Sequence, residues 1–232
     1  MPLAYTNRGT GGGNTTSASV PNFTAAAGSR LFCWGLNGRN DSTTPGLPSI
    51  SGGSLTWIAL APFLDSAGSY RLRANLWYAD VGGSPVSVTP MMNGQAGADC
   101  CALCCVEYSG HKVAAPTAST GEDSGGSPAA TFAQPGAGSH MLCFAGTFVS
   151  AAVAFTHDAN ATELFDVTIG GGSAQMRIAA QIRESGSYTS LGFSSSNFGP
   201  SWAAAVEVEP LPVGFVLPRT RMGTRWMTAK RF

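Results

Sequence analysis

The stretch Leu55–Asp80, LTWIALAPFLDSAGSYRLRANLWYAD, decides the fold class of this chain. Mostly apolar residues precede a short Ser-Ala-Gly segment and alternating polar and apolar residues follow it, and this arrangement predicts two long antiparallel strands joined by a tight turn. One face of the hairpin is expected to be covered and the other to be polar. The residues assigned to the covered face are Trp57, Ala59, Leu72, Ala74 and Leu76, and those assigned to the polar face are Arg71, Arg73 and Asn75.

The rest of the chain carries further strand patterns. The run Leu31–Leu36 is almost unbroken in apolar residues, which is typical of a central strand covered on both sides. From Ser139 onward, strand patterns recur about every 8–12 residues, as in a sandwich or barrel. The segment AQMRIAAQIRE (174–184) places its larger apolar residues on one side at period 2, so we predict a strand there too. The fold class is therefore all-β, an antiparallel β-sandwich of jelly-roll type with extended N- and C-terminal arms. We find no internal repeat of about 20–50 residues.

The domain organisation follows from composition along the chain. Residues 1–14 are rich in Gly, Asn and Thr and predict an N-terminal arm without a core element. Residues 15–209 form the predicted β-sandwich domain. Prolines then hold residues 210–232 extended, so we predict a basic extended C-terminal arm. The prolines are Pro210, Pro212 and Pro218.

The charge of the chain is low and unevenly distributed. Only 11% of the residues are charged, against about 25% in a typical soluble domain. The chain has 13 Lys/Arg and 13 Asp/Glu, of which residues 219–232 hold five cations and no acid, leaving 8 cations against 13 acids before them. The C-terminal segment is therefore the electrostatic outlier.

No targeting or membrane signal is evident. The chain has no run of about 18 apolar residues, and its first residues lack the basic start and apolar centre of a signal peptide. We expect a protein made in the cytoplasm, without membrane insertion and without secretion through a signal peptide.

Four of the six cysteines lie in CCALCC (100–105). A zinc knuckle would require the backbone to turn between the two Cys pairs, whereas this segment has the pattern of a strand. Cys100 and Cys104 would then share one face, and Cys101 and Cys105 the opposite face. We predict buried thiols that pack as small apolar residues, and neither metal ligands nor disulfides.

Catalytic patterns are weak throughout the chain. The three histidines accompany no nucleophile elbow or H-E-x-x-H motif, and no Gly-rich segment has the Lys-Ser/Thr of a nucleotide site. A calcium-like D-x-N fragment is incomplete, and two neighbouring glutamates favour a solvated strand edge over paired acid catalysis. We therefore expect neither an enzyme nor a cofactor. These residues are His111, His140 and His157, the fragment Asp158, Asn160 and Glu163, and the pair Glu207 and Glu209.

The C-terminal segment carries the candidate docking residues. Its cations could neutralise phosphates and its Trp could stack on bases, and a solvated tail is the ordinary alternative. We favour docking onto protein, with the cations meeting acidic patches and two aromatic residues as buried anchors. Nucleic acid is not an expected partner. The docking residues are Arg219, Arg221, Arg225, Trp226, Lys230, Arg231 and Phe232.

The order of several motifs resembles a known class of proteins. GGSLTWIAL, RLRANLWYAD, a short VSVT strand, ALCCVEYSG, a small-residue loop and GSHMLCFAGTF follow one another across about residues 15–209. This order resembles accessory virion proteins of tailed bacteriophages, which are β-sandwich head-decoration or minor tail proteins. The doubled Cys pairs depart from that pattern, and we interpret them as packing variation.

The resemblance implies a non-enzymatic structural protein located in the virion. Its partners would be other proteins of the capsid or tail and further copies of itself as a homo-oligomer. The loops 38–53 and 109–138, the second with one short strand near 130–132, would face outward and contact the host surface, including its glycans.

Two alternatives from other classes remain open. The first is a carbohydrate-binding or receptor-binding module of a tail fibre or adhesin, with Trp34, Trp77, Tyr78 or Tyr188 as exposed stacking platforms. The second is a glycosidase or lyase, which would need two carboxylates facing each other across a cleft. The burial of the four aromatic side chains distinguishes the first alternative from the structural role.

Overall fold

The computed structural model describes residues 2–41, 44–67, 70–93, 98–122, 127–149, 154–172, 174–196 and 200–212. Within these ranges the chain forms antiparallel strands and no helix. The strands of the first half are β1 (Ala4–Gly13), β2 (Ser17–Ser19), β3 (Phe23–Ala25), β4 (Arg30–Asn40), β5 (Ser49–Ser51), β6 (Ile58–Ala67), β7 (Tyr70–Asp80), β8 (Val86–Val88), β9 (Met91–Asn93) and β10 (Cys100–Ser109). Those of the second half are β11 (Ala118–Glu122), β12 (Ala129–Thr131), β13 (His140–Val149), β14 (Thr156–His157), β15 (Thr162–Gly171), β16 (Ala174–Glu184), β17 (Ser190–Ser194) and β18 (Ser201–Val208). The predicted all-β antiparallel class is confirmed, while the jelly-roll type stays a prediction.

Two large sheets form the centre of the molecule. Their strand orders are β1-β10-β4-β7-β6 in the first half and β11-β18-β13-β16-β15 in the second. The two sheets pack face to face around a central core that includes Trp34 and Leu76 from the first sheet and Phe144 and Ile178 from the second. Each large sheet is also covered on its outer face, so the fold has four layers. The small covering sheets are β2-β9-β5 and β3-β8 in the first half and β12-β17-β14 in the second.

The strands predicted from periodicity occupy the expected places. β6 and β7 pair as the hairpin, with Leu72, Ala74 and Leu76 in the central core. The face assigned to Trp57 and Ala59 is wrong, because the bulge between Ala59 and Ala61 reverses the alternation: Trp57 packs toward the covering sheets and Ala59 is exposed. In β4, Phe32 and Trp34 face the central core, while Leu31 and Cys33 face the covering sheets. The apolar run in β4 follows from burial on both faces. The strand predicted at 174–184 is β16, and its larger apolar side chains join the central core.

The N-terminal residues differ from the predicted arm. Ala4–Gly13 is β1, an edge strand that pairs with β10 along its length. The Gly-rich composition, which argued against a strand, has a local reason at Gly11, because a Cβ there would collide with the backbone oxygen of Ser19 in β2. Within the predicted loop 109–138, β12 agrees with the expected short strand, and β11 is an additional one.

The second half repeats the strand order of the first. β11, β18, β13, β16 and β15 occupy the positions of β1, β10, β4, β7 and β6, and the small sheet β12-β17-β14 corresponds to β2-β9-β5. Contacts between the halves are reciprocal: β1 packs near β15 and β11 near β6, while β4 meets its counterpart β13. The molecule therefore has two similar halves related by an approximate twofold.

Details of the backbone follow the same correspondence. β6 has a bulge between Ala59 and Ala61, opposite positions 77 and 76 of β7, and β15 has one between Glu163 and Phe165, opposite the equivalent positions 181 and 180 of β16. Gly121 of β11 corresponds to Gly11 of β1, and a Cβ on Gly121 would likewise collide with a backbone oxygen, that of Ala129.

The turn that precedes each central strand is also repeated. AAGSRLFC (26–33) leads into β4 and GAGSHMLC (136–143) leads into β13, and the turn glycines have φ values of 70° at Gly28 and 78° at Gly138. Each turn is held by a glutamate of the neighbouring strand: Glu107 accepts the Ala26 amide at 2.7 Å, and Glu207 accepts the Gly136 amide at 2.8 Å. The repeat spans about a hundred residues, so its few identical residues escape a search for shorter periods.

Candidate functional site

The docking residues predicted in the C-terminal segment, Arg219 to Phe232, lie outside the described residues. The described chain ends at Pro212, and its last residues pack beside the start of the chain. Pro2 and Leu3 line the same cavity as Pro210 and Leu211. Both described ends of the chain therefore meet at one end of the molecule.

The cysteines are core residues in the described structure. All six are free and buried. In β10, Cys100 and Cys104 face the central core, while Cys101 and Cys105 face the covering sheets, which confirms the predicted division between two faces. Burial raises the pKa of Cys100 to about 11 and that of Cys101 to about 12, so both remain thiols at neutral pH. A thiol in this state is neither a nucleophile nor a good metal ligand.

The four aromatic residues considered as sugar platforms are buried. Trp34 is fully enclosed, and Trp77, Tyr78 and Tyr188 are between 4% and 9% exposed. A stacking platform must present an open ring face to water, so none of these four residues can serve as one. Trp34 instead stacks on Trp202 with the ring centroids 4.4 Å apart, and this contact joins the two halves.

The acidic residues singled out in the sequence have partners within the protein. Asp158 pairs with Arg183 at 3.2 Å and also accepts the amide of Asn160 at 2.9 Å, as in a simple Asx turn. Glu163 pairs with His157 at 3.0 Å. These contacts account for the D-x-N fragment without calcium, since its carboxylate oxygens already have donors.

Glu207 and Glu209 have separate structural roles. Glu207 holds the turn before β13, and Glu209 forms an ion pair of 2.9 Å with Lys112. A cavity of about 200 Å³ between the halves includes both glutamates, together with Arg30 and Lys112. The charged side chains named here already bind other groups of the protein, so we assign no chemistry to this cavity.

At this end of the first half, the buried side chain of Arg30 has hydrogen-bond partners for all of its guanidinium nitrogens. Its side chain is 3% exposed and forms a two-pronged pair with Asp80, with distances of 2.6 Å from Nε and 2.9 Å from Nη2. The guanidinium also donates to the carbonyl of Val113 at 3.1 Å and to that of Ala114 at 2.9 Å. It lies 4.9 Å from the centre of the Tyr78 ring, a cation–π distance. Arg30 thereby fixes the segment that links the two halves.

His140 occupies the equivalent position in the second half. In the first half, Arg30 is paired in register with Tyr108 on one side and Asp80 on the other. In the second half, His140 is paired with Val208 and Glu184. His140 is therefore the counterpart of Arg30, and Glu184 is the counterpart of Asp80.

Two cavities adjoin His140. One of about 380 Å³ is lined by Tyr5, Asn160, Thr162 and Arg183, and one of about 610 Å³ is lined by the two ends of the described chain. Both cavities share His140, Glu184 and Ser185. The second half is therefore more open beside His140 than the first half is beside Arg30, where the adjoining cavity is about 200 Å³.

The charged groups at this opening are the exposed carboxylate of Glu184 and, beside it, Arg183, which forms an ion pair with Asp158. Burial lowers the pKa of His140, although nearby Glu184 raises it, so the imidazole is neutral at pH 7. Its Nδ1 and the hydroxyl of Tyr108 are buried without a hydrogen-bond partner among the described residues. The rings of Tyr5, Tyr108 and His140 lie about 6 Å apart. Sequence reasoning considered His140 alone and missed Glu184, because only the strand register brings them together.

No helix of the described residues is long and apolar enough to span a membrane. No group of three or more metal-ligating side chains occurs among the same residues. No protein-family model, curated protein or solved structure matches the chain.

Proposed function

We propose that this chain is a non-enzymatic structural protein of a tailed-phage virion, which decorates the capsid or tail and docks through its C-terminal segment. The single observation that carries the proposal is the convergence of the described chain ends, since Pro2 and Leu3 line one cavity with Pro210 and Leu211. A molecule whose two ends leave from one place can be attached at that end and present its opposite end outward.

The use of charge in the described residues supports a structural role. The cations Arg8, Arg30 and Arg177 pair with carboxylates of their own chain, namely Glu107, Asp80 and Asp166. A catalyst needs titratable groups that are free to reach a substrate, whereas these groups join strands and loops. The cysteines are likewise buried between layers.

The distribution of charge supports docking by the C-terminal segment. Five cations lie in residues 219–232 without an acid, and the preceding residues have an excess of acids. Opposite charge on neighbouring surfaces guides association and fixes the orientation of partners. The outer sheets, which contain β5 and β12 of the predicted loops, are the surfaces we assign to the outside of the particle.

Removal of residues 219–232 tests the proposal in the phage or prophage that encodes the chain. We expect the copy number in purified particles to fall by about tenfold or more, because the deletion removes the charged and aromatic anchors together. A full-length chain with its five tail cations changed to Gln distinguishes the effect of losing the charge from the effect of shortening the chain. Normal incorporation of the deleted chain would contradict the proposal.

A further inference from the structure

The two halves provide an internal comparison at one site. The row of paired residues Tyr108, Arg30 and Asp80 crosses the end of the first large sheet, and the equivalent row in the second large sheet is Val208, His140 and Glu184. Both rows include a carboxylate at the end of the corresponding strand, β7 or β16. Only the first row supplies its own guanidinium.

The surroundings of the Glu184 carboxylate in the second half can accommodate a guanidinium group. The exposed side chain of Glu184 has no hydrogen bond or ion pair with another residue of the described ranges. Its neighbours in the cavity are His140, which is neutral at pH 7, and Arg183, which is already paired with Asp158. The adjoining cavity of about 380 Å³ is larger than one side chain needs. Tyr5, which is 38% exposed, supplies an aromatic ring to the lining of this cavity, whereas the counterpart of Tyr78 in the second half is Ile182.

We propose that this cavity binds an arginine side chain from residues 219–231 of a neighbouring copy, with the guanidinium on Glu184 and against the Tyr5 ring. A planar guanidinium can bind a carboxylate through two parallel bonds and stack on an aromatic face, which an ammonium group cannot do as well. The proposal rests on the proposed docking role and names the surface that receives the segment.

The choice of occupant follows from charge and chain geometry. Residues 219–231 contain Arg219, Arg221, Arg225 and Arg231 and no acid. The segment begins from Pro212, next to Leu211, which lines the adjoining cavity. Six residues separate Pro212 from Arg219, a length that can span at most about 25 Å. That length is enough to reach a neighbouring copy, whose residues 1–218 have an excess of acids.

Self-association of the full-length protein tests the contact. Sedimentation velocity over a range of concentrations should show an association that Glu184→Gln weakens by roughly tenfold to a hundredfold, since a charge-assisted pair is lost. His140→Arg should weaken it as well, because the new side chain would occupy the cavity as Arg30 does in the first half. Glu209→Gln, an exposed carboxylate outside the cavity, is the matched control and should leave association unchanged. Equal association of wild type and Glu184→Gln would overturn the proposal.

A small probe tests the chemistry of the cavity separately. N-acetyl-arginine amide should shift protein NMR signals of the wild type near Tyr5 and His140, while the neutral isostere N-acetyl-citrulline amide should not. Glu184→Gln and His140→Arg should both remove the shift. If the probe binds Glu184→Gln as well as it binds wild type, the site is wrong. Normal particle incorporation of a chain lacking residues 219–232 would refute the docking role and leave the probe result standing, so the two failures are distinguishable.

Discussion

Replacement of Trp202 by Ala tests whether the two halves share one core. Trp202 is fully buried in β18 and lies between Trp34 at 4.4 Å and Phe63 at 4.2 Å, so its ring joins the first half to the second. Loss of a buried Trp costs about 3–5 kcal/mol, which includes two aromatic contacts of about 0.5–1.5 kcal/mol each. Its indole N–H has no hydrogen-bond partner in the described structure, and removing that group offsets about 1 kcal/mol. We expect a net loss of about 2–4 kcal/mol.

Urea denaturation followed by circular dichroism measures this loss. In thermal denaturation, at about 2–4 °C per kcal/mol for a chain of this size, the melting temperature of Trp202→Ala should fall by about 4–16 °C. Trp202→Phe retains a stacked ring and should lose only about 1 kcal/mol, mainly through the smaller volume. Both variants should unfold in a single transition, because one central core serves both large sheets. A loss below about 1 kcal/mol for Trp202→Ala, or separate transitions for the halves, would refute this reasoning.

Two further predictions concern the repeated strands and the buried histidines. Gly121→Ala should destabilise the fold by about 1–3 kcal/mol in urea denaturation, because its Cβ would strike the backbone oxygen of Ala129, while Gly171→Ala has open space around its Cβ and should change stability little. Equal stability of the two alanine variants would contradict the close approach of β11 and β12. Burial lowers the folded-state pKa of His111 and His140 below 6.5, so the unfolded chain binds protons first as the pH falls. The urea midpoint should therefore decrease as the pH is lowered below about 6.5, and a double Gln variant should show a smaller decrease; an unchanged pH dependence in that variant would exclude these histidines as the cause.

The fold was predictable wherever side chains alternate clearly between two environments. The hairpin of β6 and β7, the central strand β4 and the opposed cysteine pairs of β10 all follow from period 2 or from an unbroken apolar run. The sequence does not reveal that a covering sheet lies on the outer face of each large sheet. For this reason Trp77 and Tyr188 were considered as exposed platforms, although each is buried beneath a covering layer or loop.

Local sequence patterns could not predict the candidate site at His140 and Glu184. The two residues are far apart in the sequence and become neighbours through the register of β13 and β16. The pair also has to be compared with its counterpart in the first half, Arg30 and Asp80, and that comparison is possible only once the repeat of the two halves is recognised. The shared segments AGS before each central strand and VE in β10 and β18 were the available signal. They are too short to stand out without the strand order.

The edges of the large sheets limit how this protein can meet its neighbours. Three of the four edge strands are interrupted: β1 at Asn7–Gly9, β6 at Ala59–Ala61 and β15 at Glu163–Phe165. Pro62 removes a further donor from β6. Interrupted edges are poor templates for the strands of another molecule, so these edges do not favour sheet extension between molecules. Any contact at these edges would have to be made by side chains, which differ from position to position and can therefore be selective.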